Sequence, residues 1–174
     1  MPIEYAQFKK QTLRSDQEFA EVCATAKQFL MFLSSQAVAA QIEAVHQVGA
    51  ASSEIQRVIL PGAEALHFRS EKKGLFNSYA VPGLRPDYYA KVGNTGILLE
   101  VERGKTTMNN MDLLDLWKCH ICEYADYLFL LVPNERHNGN GGITRPFKQV
   151  QNRIGTFFEQ RNYVNVEAAF LFGY

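Results

Sequence analysis

Residues 85–105 read RPDYYAKVGNTGILLEVERGK, and this stretch is the most informative one for the fold of the chain. Its centre, residues 93–96, consists of the glycine, asparagine and threonine residues that favour a tight turn. Apolar and polar residues alternate on both sides of that centre, which indicates two strands. The stretch therefore predicts a β-hairpin with strands over 84–91 and 97–103.

The hairpin places acidic side chains on one of its faces. We place the centre of the turn at Asn94 and Thr95. Asp87 then faces Glu102 directly, and Glu100 lies diagonally on the same face, because residues two apart on a strand share a side. Three carboxylates this close repel one another unless a cation or a shared proton intervenes. A hard divalent cation prefers oxygen ligands, so this face predicts a metal site.

The other face of the second strand supports this interpretation. Ile97, Leu99 and Val101 are apolar and point away from the acids. A strand with one apolar face and two glutamates on the other differs from a simple solvated edge. The prediction depends on the turn, because a shift of one residue in the pairing would move Asp87 to the opposite face.

The rest of the chain alternates between helical and strand patterns. Residues 1–14 have no clear period and are predicted to be a lead-in. Apolar residues at helical spacing predict helices over 15–33, 38–48, 52–60, 109–124 and 146–158. Further strands are predicted over 75–80, 127–132 and 164–172. This order predicts a mixed α/β domain with a small sheet flanked by helices.

The composition is typical of one globular domain, with 174 residues of which 47% are hydrophobic. Eighteen basic and 18 acidic side chains argue against a protein that coats nucleic acid by charge alone. No signal-peptide pattern opens the chain, and the longest apolar run, 127–132, is too short to span a bilayer. We expect one cytoplasmic domain over 1–174 without a membrane partner. It would comprise a helical part at about 15–60, a motif-bearing core at about 52–132 and a C-terminal helix and strand at about 144–172.

Three cysteines do not form the pattern of a disulfide framework. Cys119 and Cys122 stand one helical turn apart beside His120, but a structural zinc site needs a second such pair. We expect a packed helix here, with Trp117 in the core. Lys118 would lie either on a solvated face or in a modest phosphate patch.

Arg85-Pro86-Asp87, followed after twelve residues by Glu100-Val101-Glu102, resembles the motif of the PD-(D/E)XK nuclease superfamily, the restriction endonuclease-like proteins. The core of that superfamily runs helix, three strands, helix, strand, and the order predicted over 52–132 is similar. The resemblance implies an α/β, restriction endonuclease-like core in which helices flank a small mixed sheet.

The resemblance also implies an Mg²⁺-dependent endonuclease that hydrolyses phosphodiester bonds in DNA, of restriction or defence type, with Mn²⁺ able to substitute. Asp87 and Glu100 would be the principal metal ligands, and Glu102 a ligand or general base. Glu54 stands where the family often has a further helical acid, so it is a fourth candidate ligand. A homodimer would suit cleavage of both strands.

One position departs from the family pattern. The family usually has lysine where this chain has Glu102, and Lys105, three residues on, is the candidate for the missing positive charge. Two other interpretations remain open at this point. One is a catalytically inactive nuclease-fold module that binds nucleic acid or a protein partner, and the other is an unrelated α/β protein with an acidic hairpin.

Overall fold

Helices cover both faces of a six-stranded mixed β-sheet. The computed structural model describes residues 2–49, 51–70, 74–80, 84–103, 106–107, 109–137 and 142–174. Its helices are α1 (Asp16–Leu33), α2 (Gln36–Val45), α3 (Ser52–Ala65), α4 (Met111–Ile121) and α5 (Pro146–Gly155). Its strands are β1 (Glu4–Lys9), β2 (Arg69–Ser70), β3 (Tyr88–Val92), β4 (Thr95–Val101), β5 (Tyr127–Val132), β6 (Arg136–His137), β7 (Ile143–Thr144) and β8 (Ala168–Gly173).

The strand order in the sheet is β1-β8-β5-β4-β3-β2. The central strands β4, β5 and β8 are parallel, whereas the outer neighbours pair antiparallel. Strands β5 and β8 are apolar along their whole length because both of their faces are buried. The predicted class, a mixed α/β domain with helices flanking the sheet, is confirmed. The parallel order also brings the carboxyl ends of the three central strands to one edge.

Two hydrophobic layers join the sheet to its helices. Ile97 and Leu99 pack in the layer under α1, α2 and α3, whereas Leu98 and Leu128 pack in the layer under α4 and α5. Side chains alternate along a strand. Glu100, two residues after Leu98, therefore points towards α4.

The turn of the β3–β4 hairpin differs from the predicted turn. Val92 pairs with Thr95, so Gly93 and Asn94 form the two-residue turn. Gly93 has φ of +53°, which glycine adopts without a steric penalty, and Asn94 N–H donates to Glu18 Oε1 at 2.9 Å. The register shifts by two residues. Because two is an even number, the predicted face of each side chain is retained.

Three predictions about other elements are wrong. Residues 1–14 contain β1, whose order comes from pairing with β8 at the far end of the chain. Residues 75–80 form turns and bends instead of a strand. The third helix continues through Pro61 to Ala65. The helix continues because its buried stripe continues. Glycine at position 62 lets α3 approach α1 closely, since a Cβ there would lie 2.4 Å from the Phe32 ring.

The segment around α4 is packed as predicted in part. Cys119 and Cys122 are buried free thiols. Trp117, predicted to be core, is 38% exposed, because the helix turns Leu116 and Cys119 towards the sheet instead. Within the described ranges, no helix has the length and apolar character needed to cross a membrane.

Candidate active site

Two carboxylates lie side by side where the β3–β4 hairpin joins the sheet. Asp87 directly precedes β3, and Glu100 is the penultimate residue of β4. Asp87 N–H donates to Glu100 Oε2 at 3.1 Å, and Val101 N–H donates to Asp87 Oδ2 at 2.8 Å. These reciprocal, charge-assisted bonds hold each carboxylate against the backbone of the other strand. The strand pairing itself therefore positions the Asp87–Glu100 pair.

A lysine from α4 contacts this pair. Lys118 Nζ lies 2.5 Å from Glu100 Oε1 and 2.8 Å from Asp115 Oδ1, and it donates to the Arg85 carbonyl at 3.5 Å. Lys118 and Asp115 are one helical turn apart and are both buried. Helix α4 thus adds an ammonium group and a third carboxylate, itself buried, to the face that carries Glu100.

The carboxyl groups at this site outnumber the one ammonium group that Lys118 supplies. Burial raises the pKa of Glu100 well above its ordinary value, and the Asp115 carboxylate raises it further. Burial also raises the pKa of Asp87, and raises that of Asp115 to about 6, although Lys118 opposes both shifts. For Lys118, burial lowers the pKa, but Glu100 and Asp115 outweigh burial and raise it above its ordinary value. The lysine is therefore held charged, while its acidic neighbours remain short of positive charge.

Glu102 belongs to the same electrostatic group. Its N–H donates to the Leu131 carbonyl at 2.8 Å, and its carbonyl accepts from the Tyr174 hydroxyl at 2.9 Å. Burial, followed by repulsion from Asp115 and Asp87, raises the pKa of Glu102 to about 8. A carboxyl group with this pKa exchanges a proton near neutral pH.

A further buried acid extends the group towards α5. Asp112, in the first turn of α4, is fully buried, and Arg153 Nη1 lies 3.4 Å from its Oδ1. Arg153 also donates to Asn110 Oδ1 at 2.7 Å and to the Thr107 carbonyl at 3.3 Å. Burial raises the pKa of Asp112 against the opposing effect of Arg153. Asp112 in turn contributes to the raised pKa of Glu102.

The structure corrects the predicted grouping of the hairpin acids. Asp87 lies against Glu100, not directly opposite Glu102, because the turn is shifted by two residues. In the part of the chain that the structure describes, no three His, Cys, Asp or Glu side chains are grouped closely enough to hold a metal ion. The predicted set of three carboxylate ligands is therefore not found there, and the two acids that lie together share their site with Lys118.

Glu54 and Lys105 are the other two predicted site residues. From α3, the side chain that hydrogen bonds to Asp87 is Gln56, and Glu54 points to another side because residues two apart on a helix are about 200° apart. Lys105 lies outside the described residues. The positive charge beside the acids comes from Lys118. Of the two places predicted for Lys118, the solvated face is therefore wrong.

Asp115 is a site residue that the hairpin motif does not indicate. Its signal is the helical spacing of Asp112, Asp115 and Lys118, which recur every three residues. They border the buried stripe of Leu116 and Cys119. Charged residues at the margin of an apolar stripe lie close to the surface that the helix covers. The spacing alone does not say which strand they meet.

Comparisons with known proteins give a likeness of fold and no family. No protein-family model matches the sequence, and no curated protein matches it. Among solved structures, the restriction endonuclease BglII, crystallised with a DNA 16-mer, is similar to this chain at a TM-score of 0.48 and 13% identity. The match covers 99% of this chain and 76% of that chain. At this level the likeness adds no argument about activity.

Proposed function

We propose that this chain is a divalent-metal-dependent nuclease of the PD-(D/E)XK kind, which hydrolyses phosphodiester bonds in DNA and is of restriction or defence type. The observation that carries the proposal is the Asp87–Glu100 pair, held through the strand backbone, with the Lys118 ammonium 2.5 Å from Glu100. The motif that the sequence resembles contains an aspartate, a second acid that is aspartate or glutamate, and a lysine. Here α4 supplies the lysine, and Glu102 stands at the usual lysine position.

The donor set suits Mg²⁺, with Mn²⁺ as a substitute. Mg²⁺ is usually held by one or two carboxylates, while water and substrate phosphate complete its shell, so Asp87 and Glu100 suffice. The pKa of each of these carboxyls stays raised despite Lys118. A bound cation would favour their charged forms and so lower both pKa values. Glu102 remains a further candidate ligand.

The roles of the residues follow from their positions. A bound metal would stabilise charge on the phosphoryl group and acidify a water. Asp87 and Glu100 would hold it at the sheet edge. Lys118 orients Glu100 and brings a fixed positive charge to the place where negative charge develops. Glu102 would accept the proton of the attacking water, and Lys105 is a candidate for contact with phosphate.

Cleavage of supercoiled plasmid tests the activity. We expect cleavage by the wild type with Mg²⁺ but not in EDTA, and a loss of roughly 100-fold or more in Asp87→Ala and Glu100→Ala. Glu21→Gln is the matched control and should cleave like the wild type, because Glu21 is an exposed acid on α1. Equal cleavage by all of these proteins, or cleavage that persists in EDTA, would contradict the proposal. Cleavage of both strands would suit a homodimer with twofold symmetry.

A second candidate function is a catalytically inactive nuclease-fold module that binds nucleic acid or a protein partner. The observation that favours it is Glu102 at the usual lysine position, with Lys118 already bound by two carboxylates. Such a module would keep the fold without needing a metal.

Thermal denaturation separates the two functions. Mg²⁺ at about 100 times its Kd stabilises a native protein by about 2.7 kcal/mol, which corresponds to a rise in Tm of about 5–10 °C for a chain of this size. We expect this rise in the wild type and no rise when Asp87→Asn and Glu100→Gln are combined. Binding of DNA with no rise in the wild type would favour the inactive module.

A further inference from the structure

A groove lined by polar residues lies between α5 and the segment that leads into α4. The described residues that line it are Thr107, Thr144, Gln149, Asn152 and Arg153. These are hydroxyl, amide and guanidinium groups, and none of them is acidic. The groove has a volume of about 490 Å³ and is open to solvent. Its lining therefore offers hydrogen bonds without repelling an anion.

The charge of α5 complements a polyanion. The helix Pro146–Gly155 contains Lys148 and Arg153 but no Asp or Glu, and Arg145 precedes it, in a chain with a net charge of zero. Arg145 and Lys148 are exposed. Arg145 is paired with the exposed Glu135 at 3.2 Å, a surface pair of small energy that a phosphate could replace. This face of α5 thus suits contact with a nucleic-acid backbone.

The amide side chains of α5 face outward together. Phe147, Val150 and Ile154 are buried, which turns Gln149 and Asn152 to the exposed side. The major groove of DNA admits an α-helix, and glutamine or asparagine pairs there with the two edge atoms of adenine. Exposed amides on an acid-free helix are therefore suited to reading bases.

Arg153 links the groove to the candidate active site. Its guanidinium lines the groove and lies 3.4 Å from Asp112, whose charge acts on Glu102. Thr107 Oγ1 donates to Gln149 Oε1 at 2.9 Å, which ties α5 to the segment leading into α4. The lining of the groove therefore contacts α4, the helix that supplies Asp115 and Lys118 to the site.

We propose that this groove is the surface that binds duplex DNA, and the inference rests on the proposed function for its substrate. Lys148 contacts phosphate and positions the duplex, whereas Gln149 and Asn152 contact base edges and specify sequence. Adenine is the base that these two amides favour.

Binding measurements in EDTA, where metal-dependent cleavage cannot proceed, test this inference with a fluorescent pool of random-sequence duplexes. We expect Gln149→Ala combined with Asn152→Ala to weaken binding roughly tenfold or more and to remove the adenine preference from the sequenced bound fraction. Gln28→Ala, an exposed amide on α1, should bind like the wild type. Lys148→Ala should weaken binding evenly across sequences and reduce its salt dependence, whereas Lys27→Ala on α1 should not.

Unchanged affinity and unchanged bound sequences in the folded double variant would overturn the inference. Stronger competition by duplex RNA or single-stranded DNA than by duplex DNA would also overturn it. The plasmid assay keeps the two proposals distinct. If the wild type cleaves and the double variant binds DNA normally, the groove inference alone fails. If binding depends on the groove but Mg²⁺-dependent cleavage is absent, the proposed activity alone fails.

Discussion

At the scale of the residue, Lys118 is a buried charge held between two carboxylates. Its side chain is 8% exposed, and its ammonium contacts both Glu100 and Asp115. Desolvation offsets much of the Coulomb attraction in a buried ion pair, so the contacts alone do not imply net stabilisation. The main effect of Lys118 is to supply counter-charge to two carboxylates that are themselves buried.

Removal of this charge should destabilise the protein strongly. Lys118→Met keeps a long side chain but leaves Glu100 and Asp115 without their ammonium partner. We expect the free energy of unfolding in EDTA, measured with urea, to fall by about 3–5 kcal/mol. Lys27→Met, at an exposed position of α1, should change it by no more than about 0.5 kcal/mol. Similar values for the two variants would contradict the assigned role of Lys118.

At the scale of the element, the first turn of α1 holds the β3–β4 hairpin in register. Glu18 Oε1 accepts from Asn94 N–H at 2.9 Å. A Cβ on Gly93 would lie 2.4 Å from the same oxygen, and Gly93 has a positive φ. The turn therefore depends on a glycine and on a glutamate from a distant helix. This turn sets which hairpin residues lie against Asp87.

Substitution of the turn glycine should show this dependence. Gly93→Ala combines backbone strain with a contact against Glu18, so we expect a loss of about 2–3 kcal/mol in stability. Gly49→Ala is the matched control, because Gly49 also has a positive φ but no atom would lie within 4 Å of its Cβ, and it should cost about 1 kcal/mol. In a double-mutant cycle, Gly93→Ala should cost less stability when Glu18→Ala is also present. Equal costs at both glycines, or no coupling to Glu18, would refute this account.

At the scale of the whole molecule, a histidine at the end of α2 packs against residues from distant parts of the chain. His46 Nε2 lies 2.9 Å from the Glu135 carbonyl, and its ring meets the Tyr174 ring edge-on with centroids 5.2 Å apart. Burial lowers the pKa of His46. The Glu135 carbonyl opposes this effect, while Arg103 and His137 add to it. His46 is therefore held neutral by the packed molecule around it.

Acid should destabilise the protein through His46. Its folded pKa lies below the ordinary value of 6.5, so in mildly acidic solution the unfolded chain binds more protons than the native state. The stabilisation is fully present above about pH 6.5 and is lost as the pH falls towards the folded pKa. We expect the decline in unfolding free energy from about pH 7 to about pH 5 to be smaller in His46→Gln than in the wild type. An NMR titration midpoint for His46 above 6.5 would be the opposite result.

The amino-acid pattern alone predicts the class of fold, the buried strand at 127–132 and the shared face of Asp87 and Glu100. These features depend on local periodicity. Side chains alternate between the two faces of a strand, so a shift of two residues in the turn leaves each side chain on its predicted face. Strand β1 has no signal in its own sequence, because it forms by pairing with a strand more than 150 residues away.

The surroundings of the two acids come from packing between distant segments. The turn register depends on Glu18, which reaches the hairpin from another helix. Lys118 and Asp115 meet Glu100 because α4 crosses between two parallel strands and packs on that face of the sheet. Helical spacing shows that these charges lie near a buried stripe, but not which strand they reach. Contacts between distant segments depend on how layers pack, and for that reason the lysine of the site was decided by the fold.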